Sequence, residues 1–294
     1  MSKKTIFTGS GVALVTPFNE NGVDFEALGK LIDFQIENKT DAIIICGTTG
    51  EASTMPDSEH LEVIGFAVKR VAGRIPVIAG TGSNDTEHGI ELAKNAEKLG
   101  VDGLLLVTPY YNKTSQKGLV LHYNAIANAV NIPIILYNVP GRTGLKIDIA
   151  TAKELAKTEN IVGFKEASGD MSYAMQLAAE CPELDIYSGN DDINVPLMSI
   201  GGKGCISVLA NVMPKETHDM CAKYLEGDTK TALKLQLELL DLIKALFIEV
   251  NPIPAKTALN LMGMNAGLLR MPLCEMTDGN LETLKKVLKK HNLI

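Results

Sequence analysis

Short apolar runs alternate with longer amphipathic stretches from residue 12 to about residue 228 of this chain. Apolar runs of roughly four to eight residues are typical of strands that are covered on both faces of a parallel sheet. The strands predicted from this pattern are Val12–Phe18, Ala42–Gly47, Pro76–Gly82, Gly103–Pro109, Pro133–Pro140, Ile161–Ser168, Asp185–Asp191 and Gly204–Asn211. The helices predicted between them include Asp24–Lys39, Glu59–Val71, Glu87–Leu99, Lys117–Val130 and Ile149–Lys157.

Eight successive β-α units predict a closed (β/α)8 TIM barrel, an α/β fold with a parallel sheet and right-handed crossovers. After residue 228 the strand pattern stops, and a long leucine-rich helical pattern follows at Thr229–Glu249. We therefore expect a barrel domain at residues 1–228 and a small C-terminal helical appendage at residues 229–294.

The charge balance and the cysteine usage narrow the class of protein. The net charge is −7 with a pI near 5.3, and acidic and basic residues are interspersed, which argues against nucleic acid and an anionic membrane as partners. The five cysteines form no Cys-x-x-Cys pair, so we expect reduced core thiols in a cytoplasmic protein. The first residues lack the apolar core of a signal peptide, and no run approaches the roughly 18 apolar residues of a membrane span.

One predicted strand carries a lysine, Lys165, in an otherwise apolar or small run, Ile161–Ser168. Desolvating an ammonium group is costly, so such a lysine either extends its head to solvent or has a lowered pKa and acts as a nucleophile. The stretch alone is compatible with both interpretations. In (β/α)8 barrels the reacting groups lie at the C-terminal ends of the strands, and the neighbouring strand ends favour the nucleophile.

Those other strand ends bring several hydroxyl groups and one arginine to the same mouth of the barrel. They are Gly47-Thr-Thr-Gly-Glu51, Thr108-Pro-Tyr-Tyr-Asn112, Tyr137-Asn-Val-Pro-Gly-Arg-Thr-Gly144 and Ser188-Gly-Asn-Asp191. The backbone N–H groups of the turn 47–50 suit a small carboxylate. Local turn hydrogen bonding by Thr48 and Thr49 is an equally good interpretation of this turn alone.

Metal and dinucleotide chemistry find little support in the sequence. A metal site requires clustered His, Asp or Glu ligands, whereas the five histidines are scattered along predicted helices. We expect these histidines to be ordinary residues of the helix surfaces. These are His60, His88, His122, His218 and His291. No Gly-x-Gly-x-x-Gly follows a predicted strand. We therefore expect neither a metal site nor a dinucleotide cofactor.

Four segments, in this order, resemble the dihydrodipicolinate synthase / N-acetylneuraminate lyase family of pyruvate-dependent class I aldolases. They are Gly-Thr-Thr-Gly-Glu at 47–51, Pro-Tyr-Tyr-Asn at 109–112, Tyr-Asn-Val-Pro-Gly-Arg-Thr-Gly at 137–144 and Gly-Phe-Lys-Glu-Ala-Ser-Gly-Asp at 163–170. The similarity covers essentially the whole chain. It implies a condensation of pyruvate with L-aspartate 4-semialdehyde that gives 4-hydroxy-tetrahydrodipicolinate in lysine and diaminopimelate biosynthesis. Neither a metal nor an organic cofactor takes part in the chemistry that the resemblance implies.

The resemblance also implies a role for individual residues. Lys165 forms a Schiff base with pyruvate, for which apolar surroundings must lower its pKa by ~2–3 pH units. Tyr137 is the acid/base and is linked through Thr48 to Tyr111 of a neighbouring subunit, while Arg142 holds the carboxylate of the aldehyde substrate. The remaining substrate-binding positions are Thr49, Gly189 and Ile206. A dimer is then the minimal active unit, and we expect a homo-oligomer built as a dimer of dimers.

Two alternatives stay open. A sugar-acid or N-acetylneuraminate lyase would use the same Lys165 and Tyr137 with a different aldehyde, although such lyases usually have serine where this chain has Thr48. A non-catalytic barrel with a binding or regulatory role is the second alternative, which the intact set of catalytic residues disfavours.

The same resemblance leads to an expectation about feedback by lysine. Lysine-sensitive relatives bind lysine in a cleft between subunits, beside the turn that contains Tyr110. This chain has His88 where those relatives have a carboxylate, Ala52 in place of a serine and Asp57 in place of a histidine. We therefore expect lysine to inhibit weakly or not at all.

Overall fold

Eight parallel strands form the centre of the molecule. The computed structural model describes residues 3–294, so the first two residues of the predicted barrel domain lie outside the described residues. The strands are β1 Gly9–Ala13, β2 Ala42–Ile45, β3 Val77–Gly80, β4 Gly103–Val107, β5 Ile134–Asn138, β6 Ile161–Glu166, β7 Asp185–Ser188 and β8 Gly204–Ser207. They close in the order β1-β8-β7-β6-β5-β4-β3-β2, which confirms the predicted (β/α)8 barrel.

Helices surround the barrel and continue beyond it. They are α1 Phe25–Glu37, α2 Asp57–Val71, α3 Thr86–Leu99, α4 Gln116–Ala127, α5 Pro140–Thr143, α6 Ile149–Leu155, α7 Met171–Glu180, α8 Asn194–Ser199, α9 Pro214–Leu225, α10 Thr229–Glu238, α11 Leu240–Leu246, α12 Ile253–Leu261 and α13 Asp278–Lys290. A short antiparallel hairpin joins Phe18–Asn19 to Gly22–Val23. Within residues 3–294, no helix combines the length and the apolar character needed to cross a membrane.

Each strand contributes to two apolar cores, because successive side chains of a strand point to opposite faces. In β2, Ile43 packs towards the surrounding helices and Ile44 packs inside the barrel. In β6, Phe164 belongs to the outer core. The alternation therefore directs the next side chain, Lys165, into the barrel.

The first strand differs from the sequence prediction. β1 begins at Gly9 and ends at Ala13, three and five residues earlier than expected. The glycines of β1 contribute no hydrophobic signal, so the pattern does not indicate a strand there. Packing nevertheless requires glycine, because a Cβ on Gly11 would lie 2.7 Å from Cδ1 of Ile44. Leu14 N still donates to Ile44 O at 3.0 Å, and the chain leaves the sheet before Pro17, which has no N–H group to donate to a neighbouring strand.

The C-terminal residues 229–294, called the appendage below, return to the mouth of the barrel. The predicted long helix is two helices that meet at the buried Leu239, and α10 packs against α9. Lys256 of α12 is 1% exposed, and its Nζ donates to Glu51 Oε1 at 2.7 Å and to Thr16 O at 2.8 Å. The appendage is thus attached to the turn after β2 by a buried ion pair.

Candidate active site

Lys165 lies at the mouth of the barrel, paired in register with Tyr137 of β5, and only 6% of its surface is exposed. Burial lowers the pKa of its ammonium group to about 8, the nearby Asp191 carboxylate opposes this decrease, and the Arg142 charge adds to it. At pH 7 the amine of Lys165 is then neutral in about a tenth of the molecules, against well under ~1% for an ordinary lysine. The interpretation of Lys165 as a lysine that reaches solvent is therefore wrong.

Tyr137 forms one wall around this amine. The Nζ of Lys165 lies 4.2 Å from the centre of the Tyr137 ring. Burial raises the pKa of the phenol, while the Arg142 charge and the hydroxyl of Thr48 oppose the increase. Tyr137 therefore carries its proton at neutral pH, and its hydroxyl is able to donate a hydrogen bond.

Gly189 lies against the stem of Lys165, and Ile206 lies in the apolar core inside the barrel. A Cβ on Gly189 would lie 2.6 Å from Cβ of Ala167 and 3.0 Å from Cε of Lys165, so only glycine fits beside the lysine stem. Ile206 of β8 is 1% exposed and packs in the inner core together with Tyr137. The close packing at Gly189 contributes to the burial that lowers the pKa of Lys165.

The turn after β2 presents two backbone donors. Gly50 N donates to Gly47 O at 3.0 Å and Glu51 N donates to Thr48 O at 3.1 Å, which closes the turn. In the hydrogen bonds formed among residues 3–294, the N–H groups of Thr48 and Thr49 have no acceptor. Adjacent N–H groups left free in a turn form a concave site for an anion.

A cavity of about 80 Å³ brings most of the predicted residues together. Those that line it are Thr48, Thr49, Tyr137, Arg142, Lys165 and Gly189. Arg142 lies on the exposed side of the cavity, on α5, and its Nη2 donates to Asn251 O at 3.2 Å. Ile206 does not line the cavity and lies in the inner core instead.

Phe247 and Asn251 also line this cavity, and sequence reasoning missed both. They belong to the segment between α11 and α12, roughly 200 residues from the turn after β2. Asn251 is 5% exposed, and its Nδ2 donates to Thr49 Oγ1 at 2.9 Å. The run Asn-Pro-Ile-Pro at 251–254 has no pattern that indicates a position at the site.

Tyr111 is the one predicted catalytic residue that the chain does not bring to Lys165. Its side chain is 92% exposed, and its backbone has a φ of 69°, in the left-handed region that non-glycine residues rarely adopt. The turn around it is fixed, because Asn84 Nδ2 donates to Tyr110 O at 3.1 Å and Asn112 Nδ2 donates to Asn84 O at 2.8 Å. The aromatic ring is therefore held away from its own barrel.

A larger cavity of about 360 Å³ adjoins the first and shares Thr48, Tyr137 and Arg142 with it. The residues of the expected lysine cleft that line it are Ala52, Asp57, His88 and Tyr110. The Nε2 of His88 lies 2.9 Å from Oδ1 of Asp57, and its Nδ1 lies 3.1 Å from Oγ of Ser83.

The expectations for two residue types need correction. His60 and His122 are buried rather than at the helix surface, and the ring of His60 bonds Gly80 O at 2.9 Å on the side that faces the barrel. Cys274 is exposed, whereas the other four cysteines are buried. Helical periodicity alone did not distinguish the faces of these amphipathic segments.

The barrel mouth combines a buried lysine of low pKa, a tyrosine and free backbone donors for an anion. This arrangement is typical of class I aldolases, which form a Schiff base between a lysine and a ketone substrate. The chain belongs to the dihydrodipicolinate synthetase family, whose family model matches residues 6–291.

Individual relatives agree with this assignment. The chain is 61% identical over 290 residues to the 4-hydroxy-tetrahydrodipicolinate synthase of Caldicellulosiruptor bescii, covering 98% of both chains. The crystal structure of dihydrodipicolinate synthase from Aquifex aeolicus matches with a TM-score of 0.96 and 49% identity, covering 98% of this chain and 99% of that one. The structure of DHDPS from Cyanidioschyzon merolae with lysine bound matches with a TM-score of 0.96 and 40% identity, covering 99% and 100% of the two chains. The predicted family is confirmed.

Proposed function

We propose that this chain is a Schiff-base-forming lyase that condenses pyruvate with L-aspartate 4-semialdehyde to give 4-hydroxy-tetrahydrodipicolinate in lysine biosynthesis. The observation that carries the proposal is the buried amine of Lys165, with its pKa of about 8, beside free backbone donors. The family and the names of its close members support the choice of substrates.

The first half of the reaction captures pyruvate. Its carboxylate accepts hydrogen bonds from the N–H groups of Thr48 and Thr49, which have no other acceptor among residues 3–294. The neutral amine of Lys165 then attacks the ketone carbon, and the oxygen leaves as water to give an iminium ion. The low pKa matters because only the neutral amine has a free electron pair.

The second half of the reaction uses the iminium as an electron sink. A methyl proton leaves, and the resulting enamine carbon attacks the aldehyde carbon of the second substrate, whose oxygen takes up a proton. Tyr137 moves these protons, with the hydroxyl of Thr48 as its neighbour. Arg142, on the exposed side of the cavity, pairs with the carboxylate of the aldehyde substrate through its planar guanidinium.

Ring closure releases the enzyme. The amine of the bound adduct attacks the iminium carbon, and Lys165 departs as a free amine. Each turnover therefore consumes one pyruvate and one semialdehyde, releases water, and uses no external oxidant or reductant.

We infer that the exposed Tyr111 completes this relay in a second copy of the chain. Its fixed position, 92% exposed and away from its own cavity, supports a contribution across an interface. A homodimer is then the minimal active unit, and two dimers pair into a tetramer. We propose a cytoplasmic location, because five free thiols suit a reducing compartment.

Borohydride reduction tests the Schiff base directly. Incubation with pyruvate and borohydride should add one pyruvate-derived mass per chain on Lys165, and Lys165→Arg should abolish the adduct because a guanidinium stays protonated. An adduct on Lys256, the other buried lysine, would overturn the assignment. A coupled assay that compares aspartate semialdehyde with sialic acid tests the substrate, and activity with sialic acid alone would contradict the proposed condensation.

A further inference from the structure

Asn251 is a residue of the C-terminal appendage that reaches into the cavity of Lys165. It is 5% exposed and lies between α11 and α12, outside the barrel strands that carry the other site residues. Its oxygen Oδ1 is buried and has no hydrogen-bond partner among residues 3–294. Burying an unpaired acceptor is unfavourable, so the position of this side chain needs a reason other than its own stability.

Two hydrogen bonds connect Asn251 to the two substrate-binding parts of the site. Its amide Nδ2 donates to Thr49 Oγ1 at 2.9 Å, which fixes the side chain of the turn that carries the free N–H groups. Its backbone oxygen accepts from Nη2 of Arg142 at 3.2 Å. One residue of the appendage therefore touches both the pyruvate side and the aldehyde side of the proposed site.

Backbone hydrogen bonds close the turn around Thr49, but among residues 3–294 the amide of Asn251 is the one partner of its hydroxyl. At the far end of the turn, Glu51 is fixed by Lys256 Nζ at 2.7 Å and by the backbone N–H of Arg270 at 3.1 Å. Those bonds hold the end of the turn and leave Asn251 as the partner of the Thr49 hydroxyl. They also keep the appendage attached if the amide of Asn251 is removed.

We propose that Asn251 is a positioning residue for pyruvate: its amide holds Thr49 so that the backbone N–H groups of Thr48 and Thr49 stay directed into the cavity. The inference rests on the proposed function and adds a residue from the appendage to it. The side-chain bond serves pyruvate, whereas the backbone bond to Arg142 survives any substitution of the side chain. Loss of the side chain should therefore affect the two substrates unequally.

The test is a double-mutant cycle on Asn251 and Thr49. Asn251→Ala should raise the KM for pyruvate about tenfold, the size expected for one lost hydrogen bond, with kcat and the KM for aspartate semialdehyde changed less than about twofold. Thr49→Val removes the same bond from the other side and should give a similar increase. The double variant should be no worse than the worse single variant, because both changes delete one interaction.

The matched control is Asn260→Ala. Asn260 also lies in the appendage and donates from Nδ2 to a backbone oxygen, Gly267 O at 3.0 Å, but it is exposed and away from the cavity. Its loss should leave both KM values unchanged, and circular dichroism should show that all the variants are folded.

Three results would overturn the inference: an unchanged KM for pyruvate in Asn251→Ala, additive effects of the two substitutions, or a KM increase confined to the aldehyde. The last result would mean that Asn251 contacts the second substrate instead. Failure of the proposed function is separate, because it would appear as a missing borohydride adduct in the unaltered protein.

Discussion

As the proposed nucleophile, the buried Lys165 should make the reaction depend on pH below about 8. Its pKa is lowered to about 8, so the amine is protonated and unreactive at lower pH and neutral at higher pH. We expect kcat/KM for pyruvate to rise about tenfold per pH unit from pH 6 towards 8 and to level off above it. Burial raises the pKa of Tyr137 above its ordinary value of 10.0, so ionisation of the tyrosine does not cause this rise of kcat/KM between pH 6 and 8.

Removal of one charge, the carboxylate of Asp191, tests whether Lys165 causes the rise of kcat/KM with pH. The buried carboxylate of Asp191 opposes the low pKa of Lys165, so Asp191→Asn should move the midpoint of kcat/KM to lower pH. The profile of the unaltered protein from pH 6 to 9.5 is the reference. A profile that is flat between pH 6 and 8, or a midpoint that moves upward in the variant, would show that Lys165 is not the titrating group.

The contact between Gly189 and the lysine stem leads to a second prediction. Gly189→Ala places a Cβ within 3.0 Å of Cε of Lys165 and 2.6 Å of Cβ of Ala167, so the lysine must shift. We expect kcat to fall about 100-fold, the usual effect of misplacing a reacting group by about an ångström. Gly279→Ala, where a Cβ meets nothing within 4 Å, is the control. Full activity of Gly189→Ala would disprove the tight packing.

At the residue scale, the sequence predicted most of the side chains that meet at the barrel mouth, but not the residues of the appendage that join them there. Lys165, Tyr137 and Arg142 were found because strand ends of a (β/α)8 barrel meet at one mouth, which periodicity already indicates. Asn251 and Phe247 were missed because their place at the mouth depends on how the appendage packs. Long-range packing of this kind leaves no periodic signal in a single sequence.

At the scale of elements, the appendage and the barrel are joined by a buried ion pair. The side chains of Lys256 and Glu51 are each 1% exposed and their charged atoms are 2.7 Å apart. We propose that the chain divides at residue 228 into barrel and appendage by its pattern of elements, and that the two parts are not independently stable. The ion pair joins residues on the two sides of that division, so it provides a test of whether the two parts stabilise each other.

Lys256→Ala leaves the carboxylate of Glu51 buried without a counter-charge. Such a loss typically costs about 3–5 kcal/mol, and we expect urea unfolding to show a decrease of this size. Lys285→Ala removes a surface pair with Glu282, 2.8 Å apart, and should cost under about 1 kcal/mol. Equal effects of the two substitutions would mean that the buried pair does not hold the appendage.

Element type was predicted more securely than element ends. The (β/α)8 order follows from alternating runs, but β1 was predicted too late in the chain because its glycines carry no hydrophobic signal, although the packing of Gly11 against Ile44 requires a glycine there. The two helices that meet at Leu239 were predicted as one, since the leucine-rich pattern continues through the break. Local pattern therefore defines the elements, and tertiary contact decides where they end.

At the scale of the whole molecule, Tyr111 predicts that activity depends on a second copy of the chain. Tyr111→Phe and Lys165→Ala subunits should each be nearly inactive. After mixing and subunit exchange, half of the dimers are mixed and each has one complete site, so up to about a quarter of the activity should return. Mixing Lys165→Ala with Lys165→Arg is the control and should restore nothing. No recovery despite proven exchange would show that each chain is self-sufficient.

The larger cavity next to Tyr110 determines the expected response to lysine. By the resemblance to lysine-sensitive relatives, His88 stands at the position where those relatives have a carboxylate. Its ring is already hydrogen-bonded to Asp57, 2.9 Å away, and to Ser83. The carboxylate of Asp57 is therefore engaged by His88 rather than free for an ammonium group. At 57% side-chain exposure it would in any case contribute under about 1 kcal/mol.

Lysine should accordingly inhibit this enzyme only weakly. Losing a charge-assisted hydrogen bond to the α-ammonium of lysine costs about 1.5–3 kcal/mol, or roughly 10- to 150-fold in affinity. Initial rates measured with pyruvate near its KM should therefore fall to half only above about 1 mM lysine, because of this loss of affinity. His88→Glu restores a carboxylate at that position and should increase sensitivity about tenfold or more. Sub-millimolar inhibition of the unaltered enzyme, or no gain in His88→Glu, would mean that lysine binds without an anchor at residue 88.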